Sequence, residues 1–392
     1  MHPSEEIKFE KSRKLEGKRI CLCITSSAAC IEAFYLCREL IRHGADVDVF
    51  MSEEATKLIH PNLMEFASGK KPVVELSGYT EHVSLCRKGC CDAVVVCPCT
   101  ANTISKIALG IADNAVTSCV LTAIGSKVPV IVVPAMHLSL MKNDSVEENI
   151  ERLKEMGCII VEPRIEGERA KIADRETIIE NVIRCVREGD LEGKKILIIG
   201  GASAEKIDDI RVLTNRSSGK FAIELVRECF ERGAYVELWH GWMREKVPDY
   251  VKSREFESVE DLLKMIDDCK NFDFIFVCAA LSNYIPEPMD GKIPSNIRGL
   301  TLDLRVAPRL IDKLREIVGE ERIIAFKAEE KEEDLIKKAK EMSRVFHMVV
   351  GNLTSSFGSD RTKIWIFKDG DVLEKEDKKD KLAELIIDKL GG

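Results

Sequence analysis

The sequence lacks any apolar run long enough to cross a membrane, and it has no excess of positive charge. A membrane-spanning helix needs about 20 consecutive apolar residues. The formal net charge is -8 at pH 7, so nucleic acid and anionic membranes would be repelled by the overall field. Residues 1–17 are charged and have no apolar centre of the kind that a signal peptide requires. We therefore expect a cytoplasmic protein that binds neither nucleic acid nor membrane.

Two common nucleotide-binding signatures are also missing. No apolar strand is followed by Gly-x-Gly-x-x-Gly, which disfavours a standard dinucleotide-dependent dehydrogenase. The run Ser-Gly-Lys at 218–220 resembles the end of a P-loop, but Phe221 stands where that motif requires Ser or Thr. A P-loop ATPase is disfavoured for that reason.

Cysteine, in contrast, is abundant, with 15 residues. In a small secreted protein they would suggest a disulfide scaffold, but here many lie inside apolar runs. Five of them fall close together in the sequence, at Cys86, Cys90, Cys91, Cys97 and Cys99. This group has no second well-spaced Cys-x-x-Cys pair, and its last two members flank a proline. We expect reduced thiols that pack in the core, and we predict no metal site.

The 392 residues divide into two halves that share one pattern. Each half begins with an apolar strand, at 19–25 and at 195–199, followed by a turn of small residues and an amphipathic helix. In both helices apolar residues recur at i, i+3, i+4 and i+7, which places them on one face. Later apolar runs are typical of strands buried on both faces of a parallel sheet. We predict an α/β protein with two doubly wound, Rossmann-like domains.

A polar stretch at 187–194 separates the two halves and forms a natural boundary. We therefore predict a charged N-terminal extension at 1–16, a first domain at 17–188 and a second domain at 189–392.

Small hydroxyl residues follow the first strand at the start of a helix. Ser26 and Ser27 could hold a phosphate there, because a helix start offers unpaired N–H groups and the positive end of the dipole. Ordinary helix capping by serine is an equal alternative. Further motifs follow later strands, at 98–103 (Pro-Cys-Thr-Ala-Asn-Thr) and at 134–137 (Pro-Ala-Met-His). These positions are where doubly wound sheets bind ligands.

His82, together with the motifs at 98–103 and 134–137, resembles the homo-oligomeric flavin-containing cysteine decarboxylases. This resemblance implies a flavodoxin-like first domain and bound FMN, which oxidises a substrate thiol so that carbon dioxide can leave. It implies His82 as a catalytic acid or base, with His137 as a second catalytic candidate. The FMN-binding residues that it implies are Ser26, Ser27, Ser52, Pro98, Thr100, Ala101, Asn102, Thr103 and Ser118.

This half departs from the family pattern at two places. The family has asparagine where this chain has His137, and the cysteine that serves its final reductive step is missing from the stretch at 170–174. Lys171 could supply a proton instead. Cys158 is the nearest cysteine, but its place at the start of an apparent strand is more typical of a buried thiol. The group that serves the reductive step stays open.

The run Asn-Arg-Ser-Ser-Gly-Lys at 215–220 resembles a segment of the phosphopantothenate–cysteine ligases. The resemblance implies activation of a carboxylate by a nucleotide triphosphate, because a free carboxylate is a poor electrophile. It implies that Asn215 stabilises an acyl-nucleotide intermediate, that Lys292 contacts the triphosphate and that Phe326 lines the base pocket. The substrate- and nucleotide-binding residues that it implies are Ser217, Ser218, Gly219, Lys220, Ala279, Asn283, Lys292, Phe326, Lys340 and Arg344.

Two details of this half leave alternatives open. Lys340 and Arg344, one helical turn apart, would add phosphate contacts, but a solvated helix face is the other interpretation. Asn283 stands where bacterial members have aspartate, so the choice between CTP and ATP and the coordination of Mg2+ stay open.

Together the two resemblances cover residues 17–390, in the order found in the fused decarboxylase–ligase family of coenzyme A biosynthesis. They imply 4'-phosphopantothenate, cysteine and a nucleotide triphosphate as substrates, with FMN and Mg2+ as cofactors. They also imply a homo-oligomer with trimeric and dimeric contacts, as in a dodecamer. One alternative is a flavodoxin-like electron carrier or reductase, which the doubly wound pattern alone supports. Another is a catalytically degenerate flavoprotein that acts through protein binding, which the missing loop cysteine and His137 motivate.

Overall fold

Parallel pairing of apolar strands organises each half of the chain. The computed structural model describes residues 2–167, 169–294, 299–356 and 358–391. The chain divides into two units, Met1–Glu188 and Gly189–Gly392. Each unit has its own main sheet with buried apolar residues on both faces.

Strands and helices alternate along the first unit. Its strands are β1 (Arg19–Ile24), β2 (Asp46–Met51), β3 (Ala93–Cys99), β4 (Val130–Pro134), β5 (Met136–His137), β6 (Ile159–Ile160), β7 (Arg164–Glu166) and β8 (Arg169–Lys171). Its helices are α1 (Pro3–Glu6), α2 (Cys30–Arg42), α3 (Glu53–Thr56), α4 (Pro61–Ser68), α5 (Glu81–Cys86), α6 (Ala101–Ala108), α7 (Ala115–Gly125), α8 (Leu138–Met141), α9 (Asp144–Glu155) and α10 (Arg175–Val186).

The main sheet of the first unit has five parallel strands in the order β2-β1-β3-β4-β6. This is the flavodoxin-like order, in which the crevice for a ligand opens between β1 and β3 at their carboxyl ends. The predicted doubly wound α/β fold is confirmed. A smaller antiparallel sheet, β5-β8-β7, pairs Met136 with Ala170.

The apolar pattern explains why these elements form. On α2 the residues Ala33, Leu36, Cys37 and Leu40 are fully buried, as their helical spacing predicts. All seven residues of β3 are buried, with alternate side chains in the two core clusters on opposite faces of the sheet. Burial of one such valine contributes about 1.5–3 kcal/mol, so β3 is a main source of stability.

Residues 3–16, which we expected as part of a charged extension, pack onto the first unit. They include α1, and Leu15 is fully buried while Ile7 is nearly so. The Ser4 hydroxyl lies 2.8 Å from the His2 Nδ1 atom, which also caps the start of α1. Two apolar side chains of this charged segment, Ile7 and Leu15, therefore attach it to the first unit.

The second unit continues the alternation. Its strands are β9 (Lys195–Gly200), β10 (Ala204–Lys206), β11 (Val212–Thr214), β12 (Tyr235–His240), β13 (Lys252–Glu255), β14 (Phe274–Val277), β15 (Tyr284–Pro286), β16 (Leu304–Val306), β17 (Ile323–Glu329), β18 (Met348–Leu353), β19 (Arg361–Lys368) and β20 (Asp371–Lys378). Its helices are α11 (Lys220–Glu231), α12 (Val259–Met265), α13 (Leu310–Val318), α14 (Glu332–Met342) and α15 (Lys379–Asp388), with short 3-10 turns at Ile266–Asn271, Glu320–Arg322 and Thr354–Ser356.

The main sheet of the second unit has eight strands in the order β13-β12-β9-β14-β17-β18-β19-β20. Six are parallel, while β19 and β20 join one edge as an antiparallel hairpin. Asp369 and Gly370 form its turn, with φ of 53° and 90°, and Asp-Gly is a preferred pair for such a turn. The mostly parallel sheet was predicted, whereas the hairpin was not. Within the described part of the chain, none of the helices has the length and apolar character needed to cross a membrane.

Candidate active sites

The carboxyl ends of the parallel strands in the first unit gather the predicted flavin motifs at one edge. Thr25, directly after β1, donates from its hydroxyl to the carbonyl of Pro98 at 2.8 Å and accepts the N–H of Thr100 at 3.1 Å. Ser52, directly after β2, donates its backbone N–H to the carbonyl of Ile24 at 3.0 Å. The turn after β1 is thereby fastened to the motif at 98–103.

Helix starts face the same edge. Ala29 precedes α2 and provides no side-chain cap, and the nearby Ser26 is exposed while Ser27 is half-buried. Thr100 caps α6 by accepting the N–H of Thr103 at 3.3 Å. Ser118 lies in the first turn of α7 and is buried. Hydroxyl groups and helix N–H groups are the donors that suit a phosphate group.

His82 lies on the short helix α5, which begins after Thr80, a residue with φ of 49°. Its Nδ1 atom is buried and has no hydrogen-bond partner among the residues that the structure describes. A buried ring nitrogen without a partner is unusual. The structure therefore presents an imidazole group that can still bond to a ligand.

His137 is exposed and precedes α8. Its Nδ1 atom accepts the backbone N–H of Ser139 at 3.3 Å and lies 2.8 Å from the Ser139 hydroxyl. The His137 side chain therefore caps the start of α8.

The two groups weighed for the reductive step lie in different surroundings. Lys171 is exposed at the end of β8, next to Ala170, which pairs with Met136. Cys158 is buried, and burial raises the pKa of its thiol to about 11. At neutral pH this thiol keeps its proton and is a poor nucleophile.

A cleft with a cavity volume of about 180 Å3 opens at the carboxyl ends of β9, β14, β17 and β18 in the second unit. It brings together six of the predicted residues, Ser217, Ser218, Gly219, Lys220, Ala279 and Phe326. It also contains Thr362 and Lys379, which lie outside the quoted motifs.

Glycine is required where the cleft begins. Gly201 has φ of 77°, and a Cβ atom there would lie 2.7 Å from the carbonyl oxygen of Gly241. The next residue, Ala202, exchanges backbone hydrogen bonds of 2.9 and 2.8 Å with Trp242. The turn after β9 is thereby locked against the loop after β12.

Two lysines give the cleft its positive charge. The Lys220 ammonium group is paired with the carboxylate of Asp360, and this hydrogen bond raises the pKa of Lys220. Lys379 is buried, and burial together with the charge of Lys220 lowers the pKa of Lys379. Two ammonium groups beside the exposed Arg216 suit a polyanionic ligand.

A second cleft adjoins the first and shares the segment 216–218 with it. It is lined by Thr214, Asn215, Arg216, Ser217, Ser218, Trp242, Arg244, Thr354 and Gly358. The Asn215 Nδ2 atom donates to the carbonyls of Ala280 and Leu281 at 3.1 and 3.0 Å. Asn215 thus fastens the segment between the two clefts to the end of β14.

Four predicted residues line neither of the two clefts. Lys292 is exposed in a loop that Asp208 anchors through the N–H of Ile293 at 2.9 Å. Asn283 is exposed, and its carbonyl accepts the N–H of Ala307 at 2.9 Å.

Lys340 and Arg344 are exposed at the end of α14. That helix starts at the carboxyl edge and runs back along the sheet, so Lys340 lies about 12 Å along its axis from the first turn. The structure of this chain does not bring these two residues to the cleft.

The folds and clefts together define a two-domain α/β enzyme with one ligand-binding edge on each sheet. Residues 8–187 match the family described as Flavoprotein, and residues 191–391 match the family described as DNA/pantothenate metabolism flavoprotein C-terminal domain. The chain therefore belongs to the family of bifunctional coenzyme A biosynthesis proteins CoaBC, whose members combine a decarboxylase with a phosphopantothenate–cysteine ligase.

Relatives along the full chain support this membership. The coenzyme A biosynthesis bifunctional protein CoaBC of Thermococcus kodakarensis is 42% identical over 375 residues, which cover 93% of this chain and 92% of the relative. The protein of the same description from Methanocaldococcus jannaschii is 37% identical over 399 residues, covering 100% of this chain and 97% of the relative. A solved C-terminal domain of CoaBC is 27% identical, with a TM-score of 0.44, and the match covers 52% of this chain and 97% of that chain. The predicted membership and bifunctional enzyme class are confirmed.

Proposed function

We propose that the second domain joins 4'-phosphopantothenate to cysteine with a nucleotide triphosphate, and that the first domain decarboxylates the product to 4'-phosphopantetheine with FMN. The observation that carries the ligase half is the cleft in which Lys220, Lys379 and Phe326 meet at the carboxyl edge of the sheet. The named relatives, which span both domains and are described as bifunctional, support the presence of two activities in one chain.

The first cleft of the second domain suits the nucleotide. The ammonium groups of Lys220 and Lys379 would bind phosphate oxygens, and the ring of Phe326 would pack against the base. Binding of the triphosphate would compete with Asp360 for Lys220. CTP is our expectation and ATP the alternative, and Mg2+ would neutralise part of the charge of the triphosphate.

The adjoining cleft suits the acid substrate. Arg244 and Arg216 supply positive charge for its phosphate, and the shared segment 216–218 would bring its carboxylate close to the α-phosphate. Attack of this carboxylate on the α-phosphate gives an acyl nucleotide and releases pyrophosphate. The amine of cysteine then attacks the acyl carbon, forms the amide and releases the nucleotide monophosphate.

In this scheme the main role of Asn215 is to position the segment that carries it. Its Nδ2 atom already bonds to two carbonyls after β14, so the predicted contact with the acyl nucleotide would come from a group that is held in place. Lys292 would approach the triphosphate from the loop that Asp208 anchors.

The carboxyl edge of the first domain fits FMN. Ser26, Ser27 and the start of α2 would hold the phosphate, while Ser52, Ser118 and residues 98–103 would surround the remainder. Bound FMN supplies the oxidation that makes loss of carbon dioxide possible. The buried Nδ1 atom of His82, without a partner among the described residues, can accept or hold the proton that leaves the substrate thiol.

The first domain has exposed apolar side chains, among them Tyr79 at 86% and Leu58 at 58% exposure. They support the expected homo-oligomer, because such residues commonly pack between subunits. Trimeric contacts in the first domain and dimeric contacts in the second are the arrangement we expect, in the cytoplasm.

The test is an assay of the purified full chain with 4'-phosphopantothenate, cysteine, Mg2+ and CTP or ATP, in which amide product and carbon dioxide are followed separately. Asn215→Asp should abolish amide formation yet still decarboxylate supplied 4'-phosphopantothenoylcysteine. Failure of the parental protein to form amide with either nucleotide would refute the ligase assignment. Parallel loss of both activities in a folded Asn215→Asp protein would refute the independence of the two sites.

A further inference from the structure

Three cysteines from different elements meet inside the first domain. Cys21 lies on β1, Cys86 ends α5 and Cys119 lies on α7. Their sulfur atoms all lie within 4.8 Å of one another. All three side chains are fully buried, so the cluster lies in the core.

A fourth thiol lies beside the cluster. Cys23 follows Cys21 by two residues on β1, and alternate strand residues face the same side of the sheet. Its sulfur atom lies 3.6 Å from that of Cys119. The three mutually close sulfur atoms come from β1, α5 and α7.

The convergence of three thiols favours a common ligand over a single bond between two of them. Cys86 and Cys119 have their sulfur atoms 2.6 Å apart, closer than the about 3.5 Å at which even carbon atoms pack without a bond. A disulfide, with its sulfur atoms about 2.05 Å apart, would join that pair alone. It would leave out Cys21, whose sulfur atom lies 3.9 Å from that of Cys86 and within 4.8 Å of both others.

The distance of 3.9 Å between the sulfur atoms of Cys21 and Cys86 matches a thiolate-bound metal. In a tetrahedral site with metal–sulfur bonds of about 2.3 Å, neighbouring sulfur atoms lie about 3.8 Å apart. In the described residues, the hydrogen-bond partners of the three converging sulfur atoms are thiols and the carbonyl of Leu85. Deprotonated thiols in such surroundings need a cation to compensate their charge.

We propose that Cys21, Cys86 and Cys119 form a structural site for a thiophilic divalent cation such as Zn2+. Each ligand loses its thiol proton as the metal binds. The three ligands are buried protein sulfur atoms, and thiolate ligands of this kind are typical of structural sites.

The site would support the candidate catalytic helix. Cys86 follows His82 by four residues, which is about one turn of α5, and α5 has only six residues. The metal would fasten this helix to β1 and α7. Metal loss should therefore weaken decarboxylation and leave the ligase unchanged.

The test uses the reduced full chain, incubated with Zn2+ and then freed of excess metal by gel filtration. We expect about one retained zinc ion per chain by elemental mass spectrometry. With Co2+ instead, we expect the absorption bands of tetrahedral cobalt thiolate at wavelengths longer than the flavin bands. Cys86→Ala and Cys119→Ala should lose the metal. Cys37→Ala, which removes a fully buried thiol from the other core cluster, should keep it.

A measurement on the parental protein covers the case in which the variants do not fold. Bound metal should protect Cys86 and Cys119 from alkylation, while the half-buried Cys90 reacts with or without metal. The proposal fails if the folded, reduced parental protein retains no zinc and shows no cobalt thiolate bands. Retention of metal by folded Cys119→Ala would also overturn it, as would a Cys86–Cys119 disulfide whose reduction yields a protein that binds no metal.

Discussion

The carboxylate of Asp208 accepts the backbone N–H of Ile293 at 2.9 Å and thereby joins the turn between β10 and β11 to the loop that carries Lys292. The same carboxylate accepts the N–H groups of Ile210 and Arg211 and pairs with the Arg211 guanidinium group. Burial alone would raise the pKa of Asp208, but these donors outweigh it and hold the pKa well below its usual range.

The first prediction follows from this anchor. Asp208→Asn replaces a carboxylate oxygen by an N–H donor that faces other donors, so it should destabilise the second domain and reduce amide formation. A folded-state pKa below the unfolded value of about 3.9 means that Asp208 stabilises the fold above that pH and loses this contribution as pH falls further. The difference in urea midpoint between parental protein and variant should therefore shrink below about pH 4. A difference that grows as the pH falls would contradict the anchor.

The second prediction concerns the glycine turn at the first ligase cleft. Gly201 and Gly193 have nearly the same positive φ, 77° and 78°, but a Cβ at Gly193 would meet nothing within 4 Å. Gly193→Ala should cost about 1–2 kcal/mol of unfolding free energy from the backbone alone. Gly201→Ala should cost more, because its Cβ would also press on the carbonyl of Gly241. Equal losses in chemical denaturation would show that the contact with Gly241 is not limiting.

Much of the fold was predictable because hydrophobic period and strand burial are local signals. The helix α11 shows this, since Ala222, Leu225, Val226 and Cys229 are buried as their spacing indicates. The β19–β20 hairpin was overlooked, although the pair Asp369-Gly370 is itself a turn signal.

The ligase site was predictable from the sequence only for those motif residues that also line a cleft. Lys379 was missed because Lys378 and Lys381 lie close to it in the sequence, and several nearby lysines indicate a solvated helix face. Only the packing of α15 in the folded chain buries Lys379. The thiols at 21, 86 and 119 share no spacing motif, so only the tertiary fold brings them together. Lys340 and Arg344 show the converse, since their helical spacing gave no information on which end of the sheet they occupy.

The third prediction tests Lys379. Lys379→Gln should raise the KM for the nucleotide about tenfold, the equivalent of a charge-assisted hydrogen bond of about 1.5 kcal/mol. An ammonium group binds phosphate only below its pKa. Since the pKa of Lys379 is lowered and that of Lys220 is raised, nucleotide affinity should fall with rising pH while Lys220 is still charged.

Two matched variants test this prediction. One changes Lys379 itself, and the other changes a second lysine on the same helix. Lys379→Arg should move the alkaline loss of affinity to higher pH, because a guanidinium group keeps its proton. Lys381→Gln removes an exposed lysine paired with Glu384 and should leave the KM unchanged. An unchanged pH profile in Lys379→Arg would assign the alkaline loss to another group.

The fourth prediction is that His82→Asn keeps bound FMN and ligase activity but stops reduction of the flavin by 4'-phosphopantothenoylcysteine. The substrate thiol must lose a proton as it is oxidised, and an imidazole group can take that proton near neutral pH, whereas an amide cannot. The buried Nδ1 atom of His82 has no partner in the described part of the chain, so the substitution removes a proton acceptor and breaks no hydrogen bond at that atom. Flavin absorption in anaerobic stopped flow measures the step directly.

His137→Asn is the matched control, because it restores the family residue at an exposed helix cap and should retain flavin reduction. Reduction at the parental rate in His82→Asn, with loss in His137→Asn, would transfer the proton-accepting role to His137.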